Sequence, residues 1–207
     1  MQYQVEEVNP GEESEREAPA IGTPSDADLQ KAFVAWLAGL GGEARELAAL
    51  LAREDAPPSL RRFAAETLNQ LLYAVDLIPE GIEGLGYLEA LFGFRLLARE
   101  LSEAEPDSAS ADPHGTVRRL SGEADLVRAF LGEEDRQRLL ALAHQQSGKR
   151  ARGRLMTELL EQPEAQSAAI EDVQSWAEQY RPPQFGSGSH DLVRLLSFLR
   201  TRVLGTS

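Results

Sequence analysis

The residues best suited to chemistry are four carboxylates near one short turn: Asp76, Glu80, Glu83 and Glu89. Hard divalent cations are bound by several carboxylate and carbonyl oxygens, so this cluster could hold Mg²⁺, Mn²⁺ or Ca²⁺ as the cofactor of a metal-dependent enzyme. Acidic residues also cap helices and form turns, which is the structural alternative. The spacing matches no EF-hand loop, and the default expectation is therefore that no cofactor is bound.

The chain around these acids predicts a tight turn between two helices. A proline pushes the residue before it out of the helical region, so the helix that precedes Pro79 must end before Ile78. Asp76 favours a turn that satisfies its own backbone, and Gly81 permits tight backbone geometry. We therefore expect a helical hairpin whose carboxylates lie close together.

Residues 60–100, about a fifth of the chain, resemble the YkvA-like family, a bacterial domain of unknown function. The hallmark of that family is a helix, an Asp-x-Ile-Pro-Asp loop, a glycine, and a second helix that opens with paired aspartates. Asp76, Ile78 and Pro79 match the loop, and Gly86 matches the glycine. The resemblance implies a compact helical hairpin, membrane-associated in some relatives, with no established reaction.

The chain departs from the family pattern at its acidic positions. Glu80 stands where the family has the second aspartate of the loop. Glu89 falls at the first of the paired acids, and Ala90 replaces the second. One change keeps the charge and the other removes it, which weakens the idea of a working acidic site.

One basic cluster is present, comprising Lys149, Arg150, Arg152 and Arg154. It could contact an anion or dock the acidic N-terminal segment, and the structural alternative is a solvated helix start with salt bridges. Aromatic residues are not interleaved with these cations, and the formal net charge is −13. Both features oppose nucleic-acid binding, and the charge favours a basic partner.

The sequence contains no other combination of residues that is typical of a catalytic or metal site. There is no cysteine, which excludes disulfides and thiolate sites and fits a reducing cytoplasm. The three histidines, at positions 114, 144 and 190, form no metal-ligand pair. His190 and Asp191 follow a serine, but adjacent residues on a helix point apart, so Ser189 is better interpreted as a helix cap.

Apolar residues recur at helical spacing through most of the chain, and no segment alternates as a strand does. We predict an all-α protein, a bundle of about eight to nine helices. Ser25 or Asp26 is expected to cap the first helix, and Gly41-Gly42 is expected to end it before a second helix at residues 43–53. Pro57-Pro58 opens the third helix, the fourth spans residues 85–101, and further short helices follow residue 115.

Composition divides the chain into four parts. Residues 1–25, with six glutamates and one arginine, are predicted to be a disordered acidic tail. Residues 26–101 form a helical domain that contains the hairpin, and residues 116–207 form a C-terminal helical region. Residues 102–115 are polar, acidic and proline-containing, which indicates a flexible linker. We favour two helical subdomains over one bundle with an exposed loop.

The predicted helix at residues 85–101 is apolar on nearly every side. Such a helix is buried in a bundle, or its face contacts a partner or a membrane surface, here through Tyr87, Leu91 and Phe94. No apolar run reaches the roughly 18–20 residues that a membrane-spanning helix needs.

Three functional hypotheses result. The leading one is a non-enzymatic, cytoplasmic adaptor that binds another protein. The second is peripheral membrane association through residues 85–101. The third is the divalent-metal enzyme at Asp76, Glu80, Glu83 and Glu89. The oligomeric state does not follow from the sequence.

Overall fold

The structure is a computed structural model that describes residues 24–77, 81–186 and 189–204. Within these ranges the chain forms nine α-helices and no β-strand, which confirms the predicted all-α bundle. The helices are α1 (Asp26–Ala52), α2 (Pro58–Leu77), α3 (Glu83–Ala104), α4 (Pro106–Ser110), α5 (Thr116–Leu131), α6 (Glu133–Ser147), α7 (Met156–Glu161), α8 (Pro163–Gln179) and α9 (Ser189–Leu204). The predicted acidic tail lies outside the described residues, apart from positions 24 and 25.

Helix α1 begins where the sequence predicts. The Ser25 hydroxyl accepts a hydrogen bond from the backbone N–H of Asp28 (3.2 Å), and the Asp28 carboxylate accepts one from the backbone N–H of Ser25 (3.1 Å). This reciprocal capping box satisfies two of the backbone donors that a helix start leaves without partners.

The predicted end of α1 at Gly41-Gly42 is wrong, because the helix continues to Ala52. Gly41 is instead the point at which α8 approaches α1. A Cβ atom at Gly41 would lie 3.4 Å from Cδ1 of Tyr180 and 3.5 Å from the carbonyl oxygen of Ala177. The small residue therefore lets the end of α8 pack closely on α1, and this packing outweighs the low helix propensity of glycine.

Helix α3 is the centre of the bundle and packs against α1, α2, α5 and α6. The hydrophobic core is continuous and extends from Leu29 in α1 to Leu199 in α9. The preference for two separate subdomains is therefore wrong for the described residues. A group of rings closes the core around Phe33, whose centroid lies 5.2 Å from Trp36, 5.0 Å from Phe92 and 5.2 Å from Phe130.

Residues 102–115 are not a flexible linker. Helix α3 continues to Ala104, and α4 follows with Pro106 at its start, where a proline loses no hydrogen bond. The buried carboxylate of Asp112 then accepts hydrogen bonds from the backbone N–H groups of His114 (3.0 Å) and Val117 (2.9 Å). Local side-chain caps therefore order a segment whose composition resembles that of a linker.

A buried charge network joins α1, α3 and α5. The guanidinium of Arg95 is fully buried and lies 2.6 Å from Glu123 and 3.1 Å from Glu43. It also donates to the carbonyl of Leu91 (3.0 Å) and lies 3.8 Å from the ring centroid of Trp36. Burial lowers the pKa of Arg95, and the two carboxylates oppose that shift by favouring the charged form.

The start of α6 carries a strongly perturbed carboxyl. Glu133 accepts hydrogen bonds from Arg136 (2.6 Å) and Gln137 (2.8 Å), which lower its pKa from 4.5 to about 2. Because the folded-state pKa is depressed, the resulting stabilisation is complete above the unfolded pKa and is lost as the pH falls towards about 2.

We therefore expect the side-chain carboxyl ¹³C resonance of Glu133 to titrate with a midpoint near pH 2. Arg136→Ala should raise that midpoint towards the ordinary glutamate value of 4.5. Arg138→Ala, which removes the neighbouring pair with Glu134, is the matched control and should leave the midpoint unchanged. A wild-type midpoint above pH 4 would contradict the prediction.

Candidate functional site

The acids of the hairpin do not share one site in the described residues. Asp76, at the end of α2, is paired with Arg152 (3.5 Å). Glu83, at the start of α3, accepts a hydrogen bond from the backbone N–H of Gly81 (2.9 Å), which lowers the pKa of the Glu83 carboxyl. Gly81 adopts a φ of +88°, a conformation that glycine enters freely. These contacts are those of a turn.

Glu89 has a different environment, because it is buried and points towards α6 and α9. Its Oε1 accepts a hydrogen bond from Nε2 of Gln146 (2.7 Å), and its Oε2 accepts one from Nε of Arg202 (3.1 Å). Neither partner could be found from the sequence, because no local pattern connects residues so far apart in the chain.

Among the described residues, no group of three or more histidines and acids could hold a metal ion. Pro79 and Glu80 lie outside these residues. The metal-enzyme hypothesis therefore stays a prediction.

The basic segment at residues 149–154 forms a tight turn. Ala151 and Arg154 exchange backbone hydrogen bonds of 2.9 and 3.0 Å, and Arg152 and Gly153 between them adopt φ angles of +49° and +81°. The three arginines are paired with carboxylates: Arg152 with Asp76 and Asp172, Arg154 with Asp172, and Arg150 with Glu158. An anion that bound Lys149, Arg150, Arg152 and Arg154 would have to displace these carboxylates.

The predicted partner or membrane face of residues 85–101 is wrong for two of its three residues. Leu91 and Phe94 are fully buried in the core, so neither can meet a partner or a lipid in this fold. None of the helices in the described ranges is long and apolar enough to cross a membrane. Tyr87 is only half-buried, and it leads to a different surface.

Tyr87 lies in an open groove of about 530 Å³ between the start of α3 and the end of α8. We call it the aromatic groove, lined by Tyr87, Trp176, Tyr180, Pro182 and Pro183. The Tyr87 ring meets Trp176 and Tyr180 edge to face, with centroids 6.0 and 5.5 Å apart, and Trp176 lies 4.9 Å from Tyr180. The rings contact one another, so they form a platform and do not enclose a cage.

Two contacts fix this platform on the bundle. The Tyr180 hydroxyl donates a hydrogen bond to the carbonyl of Leu37 in α1 (2.8 Å). The segment after α8 lies against α3, where a Cβ at Gly84 would be 3.7 Å from Pro183. Burial raises the pKa of both Tyr87 and Tyr180, so the phenols remain neutral at physiological pH.

The groove offers apolar faces and no catalytic group. The residues that line it include no histidine, serine or lysine. Its one carboxylate, Glu83, is engaged with the Gly81 backbone, and its one guanidinium, Arg181, donates hydrogen bonds to the carbonyls of Glu178 (3.2 Å) and Tyr180 (2.9 Å). Sequence reasoning identified Tyr87 as a site residue but not Trp176 or Tyr180. The available signal was Pro182-Pro183, which follows two large aromatic residues closely in the chain and prevents a helix from continuing past them.

A scan against protein-family models and searches of curated proteins and of solved structures find no match to this chain.

Proposed function

We propose that this protein is a non-enzymatic adaptor that binds an extended, basic segment of another protein in the aromatic groove. The observation that carries the proposal is the groove itself, an accessible platform of two tyrosines and a tryptophan. A cytoplasmic location is part of the proposal, because a chain without cysteine suits a reducing compartment.

The chemistry of the groove supports a protein ligand. Tyrosine and tryptophan dominate the energetics of protein interfaces, because they offer large contact areas at little cost in conformational entropy. Aromatic grooves also bind extended segments, as proline-rich peptides illustrate. At about 530 Å³ and open to solvent, this groove has room for several side chains of such a segment.

The negative net charge of the chain supports a basic ligand. The chain has a formal net charge of −13, which attracts cationic partners and speeds their encounter. A lysine or arginine that reached the platform would also gain cation–π contact with Trp176 and the tyrosines.

We also propose that the hairpin of α2 and α3 is a divergent YkvA-like hairpin. The end of α2 at Leu77, the start of α3 at Glu83 and the burial of Gly86 in the first turn of α3 support this proposal.

Site-specific photo-crosslinking in the native host tests the adaptor function. A photoreactive residue at Gln179, on the rim of the groove, should give a discrete adduct with a second protein. Gln174 is the matched control, because it is exposed on the same helix about 140° around the axis. Equal labelling from both positions, or no adduct from Gln179, would contradict the proposal.

A charge variant tests the basic character of the captured partner. Gln179→Lys should weaken its binding about three- to tenfold, because it places a cation where a cation is expected to bind. Gln174→Lys, with the same change in net charge, should bind as the wild type does. If the two variants weaken binding equally, the groove is not the contact surface.

A further inference from the structure

A second cavity, of about 200 Å³, lies on the other side of the hairpin, between the end of α2, the start of α3 and α9. Its walls are largely apolar and include Tyr73, Leu77, Ile82 and Phe198. A cavity of roughly 150 Å³ is large enough to hold benzene. This cavity can therefore accept a branched aliphatic or aromatic group.

One side of the cavity is formed by a charge pair. The buried carboxylate of Glu89 and the guanidinium of Arg202 both line it and are hydrogen-bonded to each other (3.1 Å). The Arg202 side chain is 47% exposed, so the pair is reached from solvent. Gln146 holds the carboxylate from the other side (2.7 Å) and thereby fixes its orientation.

Both members of the pair have hydrogen-bonding groups left for a ligand: Glu89 can accept further hydrogen bonds, and Arg202 can donate them. A carboxylate accepts about four hydrogen bonds, and Glu89 receives two in the described part of the chain. A guanidinium has five N–H donors, and within the same residues only Nε of Arg202 is engaged. Glu89 can thus accept from an ammonium while Arg202 donates to a carboxylate.

We propose that this cavity binds a free α-amino acid with an apolar side chain. The α-ammonium group binds Glu89, the α-carboxylate binds Arg202, and the side chain packs against Tyr73, Leu77 and Phe198. A simple cation would be repelled by Arg202, and a simple anion would be repelled by Glu89. A zwitterion with an apolar side chain satisfies both charges and the walls. This inference does not depend on the aromatic groove.

Calorimetric titration with matched ligands tests the proposal. L-Leucine or L-phenylalanine should bind the full-length protein. N-Acetyl-L-leucine, which lacks the ammonium charge, and L-leucinamide, which lacks the carboxylate, should each bind at least about tenfold more weakly, because each loses a charged hydrogen bond. Glycine, which lacks the apolar side chain, should also bind more weakly. If neither amino acid binds at millimolar concentration, or if leucinamide binds as well as leucine, the proposal is overturned.

Variants locate the site. Arg202→Gln should weaken leucine binding about tenfold or more, and Glu89→Gln should do the same if it folds. Arg200→Gln is the matched control, because Arg200 lies on another face of α9 and pairs with Asp135 (2.8 Å). Arg202 is at the mouth of the cavity, so its variant should keep the fold even if Glu89→Gln does not. Unchanged affinity in Arg202→Gln would overturn the assignment.

Discussion

Replacing Arg95 with methionine is expected to lower the free energy of unfolding by about 3–5 kcal/mol, the usual cost of breaking a buried ion pair. Methionine keeps much of the length of the side chain and removes the charge. The buried carboxylate of Glu43 and the partly exposed carboxylate of Glu123 would then lose their shared cation, although Glu43 would keep Arg119 (2.7 Å). The stacking of the guanidinium on Trp36 would also be lost.

Chemical denaturation measures this loss, and two further variants interpret it. Arg138→Met removes the surface pairs with Glu134 (2.6 Å) and Asp135 (3.6 Å), and Asp135 keeps Arg200, so this variant should change stability by no more than about 1 kcal/mol. The triple variant Glu43→Met, Arg95→Met, Glu123→Met should recover most of the stability, because a buried charge network can be replaced by apolar residues of similar size. If Arg95→Met costs no more than Arg138→Met, the network contributes little to the fold.

Much of the fold could be predicted because its signals are local. The stripe of Leu29, Phe33, Trp36, Leu37 and Leu40 predicts one helix face, and all five residues are buried. The Ser25 cap is likewise encoded within four residues.

The errors arose where distant contacts outweigh local rules. A glycine pair predicts a helix end, but Gly41 is needed for the approach of Tyr180, which lies far along the chain. Arg95 is a charged residue in a largely apolar helix, and it is buried because α1 and α5 each supply a carboxylate. Neither partner can be deduced from the residues around position 95.

The same limit applies to the candidate sites. The carboxylates of the hairpin are close in sequence, yet the fold directs Asp76 towards Arg152 and Glu89 towards Arg202. The aromatic groove exists because α8 lies across α1 and its end meets α3. Its rings were visible in the sequence, but their shared surface depends on packing between helices.

Gly93 is the position of the second large expected effect on stability, because the residue lies against the buried side-chain amide of Gln70. A Cβ atom at this position in α3 would lie 2.5 Å from Nε2 and 2.8 Å from Oε1 of Gln70. Gln70 is itself buried in α2 and donates a hydrogen bond to Gln146 (3.3 Å), so its amide must shift within the packed core to make room for the new Cβ. We expect Gly93→Ala to lower the free energy of unfolding by about 1–3 kcal/mol, the typical cost of overpacking.

A double-mutant cycle with Gln70→Ala tests this cause. Alanine exceeds glycine in helix propensity by about 1 kcal/mol, so once the amide is removed Gly93→Ala should stabilise the protein. The matched control is Gly39→Ala in α1, where a new Cβ meets nothing within 4 Å, and it should stabilise the wild type by up to about 1 kcal/mol. If Gly93→Ala destabilises both backgrounds equally, contact with Gln70 is not the cause. If it stabilises the wild type as Gly39→Ala does, α2 and α3 are not packed as closely as the structure places them.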